Sequence, residues 1–585
     1  MSKLRISECL EPTQMCFSMA EWEVVRRGLS KEEIEYRSSQ ERIEWCLDEV
    51  NVSISGKDNT RLAERLHSSQ DATGCDFYGE VPAWASVALV LMRELASDTG
   101  SALEEGRRDF LFGRLRTGLL KVLKLRIEKP NDIQIGQKIT AATAKSILLS
   151  WVDLISTADS WNPSPSKSHA TNWMEFLTAR PYLARALSER VVLSCIAINL
   201  LLARLCADQK SICREFSIDE DALRTISSVE VGCGDFHGSG KSVAIVEFSN
   251  GQKVVYKPRS GRPLLWIKHL NNVVFDGHSE RGGIVFPKSL DREEYAWEEF
   301  VDHVTCNTET EIESFYFGVG RLLALSQLAR LGDLHGENIV ARGAFAVPID
   351  LEVIGVPVHQ PGGKRSNLVP RAWTPVTASG LLPVLQRTVA GTTRVESTFF
   401  SNHPDCEGQD LCTPMLMGNA APIENYELQV IEGYVQSSNH ISAVYFSTRV
   451  QEALDRVQSA SPRFVARPTS LYANIRQEAT RAAQKQDTAD VQASLASHLK
   501  LDSLTSVAQI QICREEIWAL THWDIPIFTF EEAFKLRPNC SEGSIAVDLA
   551  PCVCDAESFS RDSILRSVSE IRDRFDLLKR KSLLP

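Results

Sequence analysis

The stretch from Ile226 to Pro258 constrains this chain most, because its turn chemistry leaves few options for the segments around it. It reads ISSVEV, then the glycine-rich GCGDFHGSGK, then SVAIVEF, then Asn250-Gly251, then KVVYKP. Asn-Gly between two β-rich runs is the strongest short-range hairpin signal, since both central residues of a type I′ turn need positive φ. Three antiparallel strands are therefore expected. The glycine-rich segment joins the first two, and Lys257 lies on the third.

Gly240-Lys241-Ser242 invites comparison with a phosphate-binding P-loop, but two features oppose it. That motif needs a glycine five positions before Gly240, where Asp235 stands. It must also open a helix, whereas this segment enters the strand SVAIVEF.

The better match is the amino-terminal part of a kinase-like fold: strand, glycine-rich turn over phosphates, second strand, and a third strand bearing a phosphate-contacting lysine. Gly234, Gly238 and Gly240 would let backbone approach phosphate oxygens without Cβ clashes, and Lys257 would supply a compact positive charge. Further on, Asp333-Leu-His335-Gly-Glu-Asn338 repeats the D-x-x-x-x-N spacing of a kinase catalytic loop, in which an Asp receives the hydroxyl proton and an Asn binds metal. Twelve residues after Asn338, Asp350-Leu-Glu352 ends the apolar run AFAVPIDLEVI, where D-F-G would stand. Carboxylates and an amide oxygen at one mouth suit Mg²⁺, a hard ion that prefers oxygen ligands. Each piece alone has a structural explanation: Asp333 as a turn cap, Asp350 as a strand end, His335 as a satisfied core imidazole. Their order along the chain argues for the catalytic reading.

One feature departs from protein kinases. Asp235-Phe-His237 places an acid and an imidazole inside the glycine-rich segment, and His335 adds a second imidazole beside Asp333. Extra acid/base groups near a phosphoryl-transfer site point to a second proton-transfer step.

GDFHGSGKSVAIVEFSNGQKVVYKPR, followed by GDLHGENIVARGAFAVPIDLEVI, closely resembles the dehydratase domain of class II lanthipeptide synthetases of the LanM type. The likeness continues at Arg463-Phe-Val-Ala-Arg467-Pro-Thr469-Ser-Leu-Tyr472, similar to that family's R-x-x-x-R-P-T-x-x-Y segment, and at Asp524-Ile-Pro526-Ile-Phe528. RPYLARALSERV, from Arg180, resembles the family more loosely. The resemblance covers about residues 180 to 530.

It implies an ATP- and Mg²⁺-dependent enzyme that phosphorylates Ser/Thr of a leader-bearing precursor peptide. The enzyme then eliminates phosphate to leave dehydroalanine or dehydrobutyrine. By the same carry-over, Lys257, Asp333, His335, Asn338, Asp350 and Glu352 serve phosphorylation, with Asn338 and Asp350 on Mg²⁺. Arg463 and Thr469 serve elimination, the arginine gripping the leaving phosphate through its planar fork. Asp235, His237 and Tyr472 fall on family motif positions whose step is left open. Arg463 as a surface arginine and Thr469 as a helix N-cap are the structural alternatives. A plain phosphotransferase, or a non-catalytic peptide-binding pseudokinase, remains the competing function.

The expected fold class is α+β: a helical region over 1–225, a small β-rich lobe over 226–305, a catalytic lobe with a mobile loop over 306–450, and a helical part over 451–585. Two helices are expected at Glu293 to Val304 and Glu311 to Leu331, with Glu299 on the first as partner of Lys257. From Val450 onward helices are expected, including one from Thr469 and one near Ser567 to Leu583.

Composition sets the remaining bounds. A formal net charge of -12 lowers the case for a nucleic-acid binder, which needs clustered Lys/Arg. The start MSKLRISECLEP lacks a signal-peptide core, and VVLSCIAINLLL (Val191 to Leu202) is shorter than a bilayer span. No membrane insertion and a cytoplasmic location are the expectation. The cysteines are scattered without metal-ligand spacing, and Cys540, Cys552 and Cys554 have no following histidine, so no zinc is expected. Members of the resembled family continue into a zinc cyclase domain, which this sequence does not match. A separate cyclase, or an uncyclised product, is therefore expected.

Overall fold

A computed structural model of the chain describes residues 139, 141–148, 181–219, 226–238, 240–275, 283–357, 376, 378–382, 384–387, 393–396, 411–483, 488–501, 504, 506–538 and 543–581. Cys540, part of the expected mobile loop within 306–450 and most of the expected amino-terminal helical region lie outside these residues. The architecture mixes helices with small antiparallel sheets and divides into two units. Unit 1 comprises Met1–Tyr256, Arg467–Ile527 and Pro538–Gly543, and unit 2 comprises Lys257–Ala466, Phe528–Arg537 and Ser544–Pro585.

Unit 1 contains a long helix, α1 (Pro181–Phe216), with proline at the first helical position, where its missing N–H is no loss. Tyr182, Leu183, Val191, Ile198, Leu205 and Ile212 are buried. VVLSCIAINLLL lies within it. Among the described helices, its Arg185–Phe216 stretch is long and apolar enough to cross a membrane by length and composition alone, and 44% of its most apolar window is buried inside the protein.

Strands β1 (Ile226–Val231), β2 (Ala244–Phe248) and β3 (Lys253–Lys257) are antiparallel as expected. Val229 faces Val246, which faces Val254, and all three are buried. That row fixes the register, since a one-residue slip would turn it to the opposite face. The β2–β3 turn differs from the expected type I′. Gly251 has φ +82 but Asn250 is not in the positive-φ region, and Gly251 N donates to Phe248 O at 2.9 Å. This is the longer hairpin loop with glycine at the left-handed position, and Asn250 Oδ1 instead accepts from Gln252 N at 3.0 Å. Helices α6 (Thr469–Ala483), α7 (Thr488–His498) and α8 (Val507–Thr521) complete the unit.

Unit 2 is built around α3 (Glu309–Ala329), which is buried on nearly every side from Ile312 to Ala329, the pattern of a central core helix. Around it are α2 (Arg262–Phe275), α4 (Glu427–Val444), α5 (Thr448–Asp455) and α9 (Arg561–Lys581). The expected helix over Glu293 to Val304 is not formed. Strands β4 (Ser289–Asp291) and β5 (Ala296–Glu299) make an antiparallel hairpin there, pairing Ser289 with Glu298 and Leu290 with Trp297. The aromatics of EEYAWEEF favour a pleated surface, and Trp297 is fully buried. Strands β6 (Ile339–Arg342) and β7 (Phe345–Pro348) form a second hairpin. β8 (Val384–Arg387) and β9 (Thr393–Glu396) pair with each other, as do β10 (Met415–Leu416) and β11 (Asn419–Ala420).

The carboxy-terminal part is less uniformly helical than expected. β12 (Arg463–Phe464), β13 (Phe528–Glu532), β14 (Lys535–Pro538) and β15 (Ile545–Ala546) form a four-stranded sheet. β12 has two residues and pairs with a strand more than sixty residues away, so no local periodicity announces it.

Candidate active site

In unit 2 the chain from Ile349 to Val353 acts as a spine. Ile349 N donates to Asn338 O at 2.9 Å, Val353 O accepts from Gly332 N at 2.9 Å, and Glu352 O accepts from Arg463 N at 2.9 Å. These three bonds bring the D-x-x-x-x-N loop, the Asp350-Leu-Glu352 segment and the R-x-x-x-R motif arginine into one place. Lys257, Asp333, His335, Asn338, Asp350, Glu352 and Arg463 all lie in this unit.

Helix α3 delivers Asp333. Its cap, Arg330, takes the left-handed conformation with φ 48°, and Leu331 N closes on Ser326 O at 2.9 Å. Asp333 itself has φ +64, a region that Asp tolerates and most residues avoid. The neighbouring peptides hold it there: Gly332 N is tied to Val353 O, and Leu334 N to Ser379 O at 2.8 Å. Rare backbone geometry braced on both sides is a feature of functional sites. The Asp333 side chain remains 45% exposed. Desolvation raises its pKa, with Glu352 and Asp350 adding to the effect and His335 and Arg463 opposing it.

His335 caps the single 3₁₀ turn Gly336–Asn338, its Nδ1 accepting from Glu337 N at 3.3 Å. Its Nε2 lies 3.2 Å from Asn338 Nδ2 and 3.8 Å from Asp333 Oδ1. Asn338 Nδ2 donates to Asp333 O at 2.7 Å, which orients the amide.

Lys257 is buried and joins two carboxylates. Its Nζ is 2.9 Å from Glu298 Oε2 and 3.0 Å from Asp350 Oδ1, and it also donates to Ile349 O. The carboxylate partner therefore comes from β5 and is Glu298, one residue from the expected Glu299. Glu299 instead accepts from Lys288 N at 3.1 Å and pairs with Arg342 at 3.4 Å. In a strand, successive side chains point to opposite faces, so a one-residue difference exchanges the two partners. Burial would lower the Lys257 pKa, but Asp350 and Glu298 raise it overall. Burial raises Glu298 against the pull of Lys257. Burial would also raise Asp350, yet Arg259 and Lys257 hold it well below the usual carboxylate range.

Arg259 was not expected from the sequence. It pairs with Asp350 Oδ1 and, through Nε, with Glu352 Oε2 at 2.5 Å. Glu352 Oε1 is taken by Arg463. The pairs form an unbroken line: Glu298, Lys257, Asp350, Arg259, Glu352, Arg463. The available signal was the i, i+2 relation of Lys257 and Arg259, which places both on one face of an extended segment.

The oxygen donors of Asp350 and Asn338 are of the kind that a magnesium ion takes. Lys257 and Arg259 both engage Asp350 Oδ1, and Asn338 is tied to the same segment by the Ile349 N to Asn338 O bond. Among the described residues no group of three or more His, Cys, Asp and Glu side chains is arranged to hold a metal. Mg²⁺ commonly binds one or two protein oxygens and completes its shell with phosphate and water.

The other expected site residues belong to unit 1. Between β1 and β2 the glycine-rich segment folds back on itself, with His237 and Lys241 exchanging backbone hydrogen bonds at 2.9 Å. Gly234 and Asp235 are exposed, whereas His237 and Gly238 are buried. His237 Nδ1 contacts Ile525 O at 2.9 Å. Gly240 has φ +77, and a Cβ there would stand 2.7 Å from Leu193 Cβ of α1. Its N–H donates to Asp524 Oδ2 at 2.9 Å, so this glycine serves the packing of the segment. Asp524 is in turn paired with the buried Arg190 at 3.1 Å. Thr469 is the exposed first residue of α6, and Pro468 O closes the helix start by accepting from Leu471 and Tyr472. Tyr472 is buried and donates to Glu516 Oε1 at 2.7 Å, which also takes Arg467 Nε at 2.8 Å. Burial raises the Glu516 pKa against both partners.

The chain belongs to the family described as a domain of unknown function, DUF4135, whose model matches residues 181–409 and 403–531. It is 30% identical over 172 residues to the lacticin 481/lactococcin biosynthesis protein LcnDR2 of Lactococcus lactis subsp. lactis. That match spans 28% of this chain and 18% of the relative, so the chain covers under a fifth of that protein's length.

Proposed function

We propose, for this chain of the DUF4135 family, that it matures lanthipeptide precursors by phosphorylating Ser/Thr side chains with ATP and then eliminating the phosphate. The family match and the relative's role in lacticin biosynthesis support the pathway. The observation that carries the chemistry is the meeting of Lys257, Glu298, Asp350, Asp333 and Asn338 with Arg463 in one unit.

In this reading the scaffold is kinase-like. Lys257 is held by Glu298 and Asp350 and would face the nucleotide phosphates, as the lysine–glutamate pair does in kinases. Asp333 orients the Ser/Thr hydroxyl and receives its proton, and its raised pKa favours that transfer. His335 stands beside the same carboxylate, its Nε2 3.8 Å from Asp333 Oδ1. Asn338 and Asp350 would hold Mg²⁺, which when bound supplies charge neutralisation for the phosphates. In the second step a Cα proton is removed, the Cα–Cβ double bond forms, and the Cβ–O bond breaks with its electron pair leaving on phosphate. Arg463 would pair with that phosphate, since a guanidinium matches a phosphate edge through two parallel bonds. Thr469 would serve this step with Arg463, and Asp235, His237 and Tyr472 provide further motif groups whose step is open. A leader-bearing precursor peptide in the cytoplasm is the substrate.

The test is the intact mass of a Ser/Thr-rich precursor peptide after incubation with protein, ATP and Mg²⁺. Wild type is expected to remove about 18 Da per modified residue, and Arg463→Ala to add about 80 Da. Additions of about 80 Da with wild type itself would reduce the protein to a phosphotransferase.

A further inference from the structure

Arg259 lies at the middle of the ion-pair line and touches a carboxylate from each half of it. Its guanidinium contacts Asp350, the carboxylate shared with Lys257, and Glu352, the carboxylate shared with Arg463. Glu352 is therefore divided: Oε2 goes to Arg259 and Oε1 to Arg463. Arg463 is thus held in an ion pair that competes with any phosphate it would grip. How tightly it is held depends on how much of the Glu352 charge another cation already takes up.

The geometry points to Arg259 as a positioning residue that couples the two steps by sharing Glu352 with Arg463 while anchoring Asp350. This rests on the two-step reading above. By occupying one oxygen of Glu352, Arg259 weakens the hold of that carboxylate on Arg463 and frees the Arg463 guanidinium for the departing phosphate. Its second arm keeps Asp350 oriented for the phosphorylation step. Only a branched planar cation reaches both carboxylates at once; a lysine offers a single point charge. Both carboxylates are more than ninety residues along the chain from Arg259, so the coupling is a property of the fold.

The consequence is specific. Without Arg259, Glu352 has one cation left and closes on Arg463, so elimination slows although no group touching the leaving phosphate has been removed. Neutralising Glu352 should then release Arg463 again. A merely structural role for Arg259 predicts no such recovery.

The experiment isolates the second step by supplying a synthetic phosphoserine peptide, with Mg²⁺ and ADP present, and following phosphate release and mass loss. Arg259→Gln is expected to slow elimination about tenfold, with kcat falling and KM little changed. Arg259→Lys should lie between Arg259→Gln and wild type. Arg259→Gln combined with Glu352→Gln should recover at least half of the lost rate. Wild-type rates in Arg259→Gln, or no recovery in the double variant, would overturn the coupling. Should Arg259→Gln fail to fold, a rate for Arg259→Lys equal to wild type would overturn it equally. An inactive wild type would sink the two-step reading and this inference with it, whereas an active wild type with an indifferent Arg259→Gln sinks the inference alone.

Discussion

Each unit holds a buried ion-pair cluster, and the two clusters are satisfied to different degrees. In unit 1 Arg190 and Asp524 have side chains 1% and 0% exposed, and each polar arm has a fixed partner. Arg190 reaches Asp524 Oδ1, His522 O and Trp523 O and lies over the Phe236 ring at 4.3 Å, while Asp524 Oδ2 takes Gly240 N. In unit 2 three cations, Lys257, Arg259 and Arg463, face four carboxylates, Glu298, Asp333, Asp350 and Glu352. There one oxygen, Asp350 Oδ1, serves two partners, the Asp350 side chain is 29% exposed and that of Asp333 45%. A closed pair anchors a segment. A cluster with more anionic than cationic groups and an open edge can exchange partners, as the proposed function requires of it.

The sharpest way to break this comparison is to remove one member of the closed pair. Asp524→Ala leaves Arg190 buried without compensation and is expected to destabilise the protein by about 3–5 kcal/mol. Urea unfolding should show a lower midpoint at unchanged slope, and a shift no larger than that of a surface variant would deny the pair its anchoring role.

Lys257→Met should behave in the opposite sense. Phosphorylation, read as ADP release in the presence of peptide, is expected to fall at least about a hundredfold. The stability loss should stay below that of Asp524→Ala, because the remaining cluster is open to solvent and can take up a counterion. Comparable stability losses in the two variants would erase the distinction between the clusters.

A smaller effect should come from the buried Tyr472–Glu516 contact of unit 1. Tyr472→Phe leaves a buried carboxylate one donor short and is expected to cost about 1–3 kcal/mol, measured by thermal unfolding. An unaltered midpoint would place Tyr472 outside the packing of α6 on α8.

The smallest signal, and the most selective, is in acid. The folded pKa of Asp350 lies below its ordinary value of 3.8, so its stabilisation is complete above 3.8 and is lost as pH falls through the depressed value. The gap in unfolding free energy between wild type and Asp350→Asn should therefore hold constant from neutral pH to about 4 and then narrow. A gap that widens on acidification would mean that Arg259 and Lys257 do not hold that carboxylate in its charged form.

Much of this arrangement was legible beforehand. The alternation in β1, β2 and β3, the apolar all-round pattern of α3 and the D-x-x-x-x-N spacing are local, and each is found where the residues put it. The turn at Asn250-Gly251 was half legible: a hairpin forms, but the hydrogen bond from Gly251 N to Phe248 O selects the longer loop. Glu298 was missed because EEYAWEEF suits a helix as well as a strand, and pairing with β4 decides between them. The sheet containing β12 was missed because two residues carry no periodicity. Gly240 reads as a phosphate-loop glycine, yet the approach of Leu193 and the carboxylate of Asp524 give it a packing role.

The sequence by itself determined which chemical groups the protein has and the local elements that carry them. Strand alternation, capping and turn preference act over a few residues, and a single chain displays them. The tertiary structure alone decided the pairing of charges: Lys257 with Glu298, Arg259 with Asp350 and Glu352, Arg463 with Glu352, and Arg190 with Asp524. Electrostatic partners are chosen by distance in space and by the low dielectric of the interior. The sequence separations between these groups, from forty to more than three hundred residues, leave no trace in any local pattern.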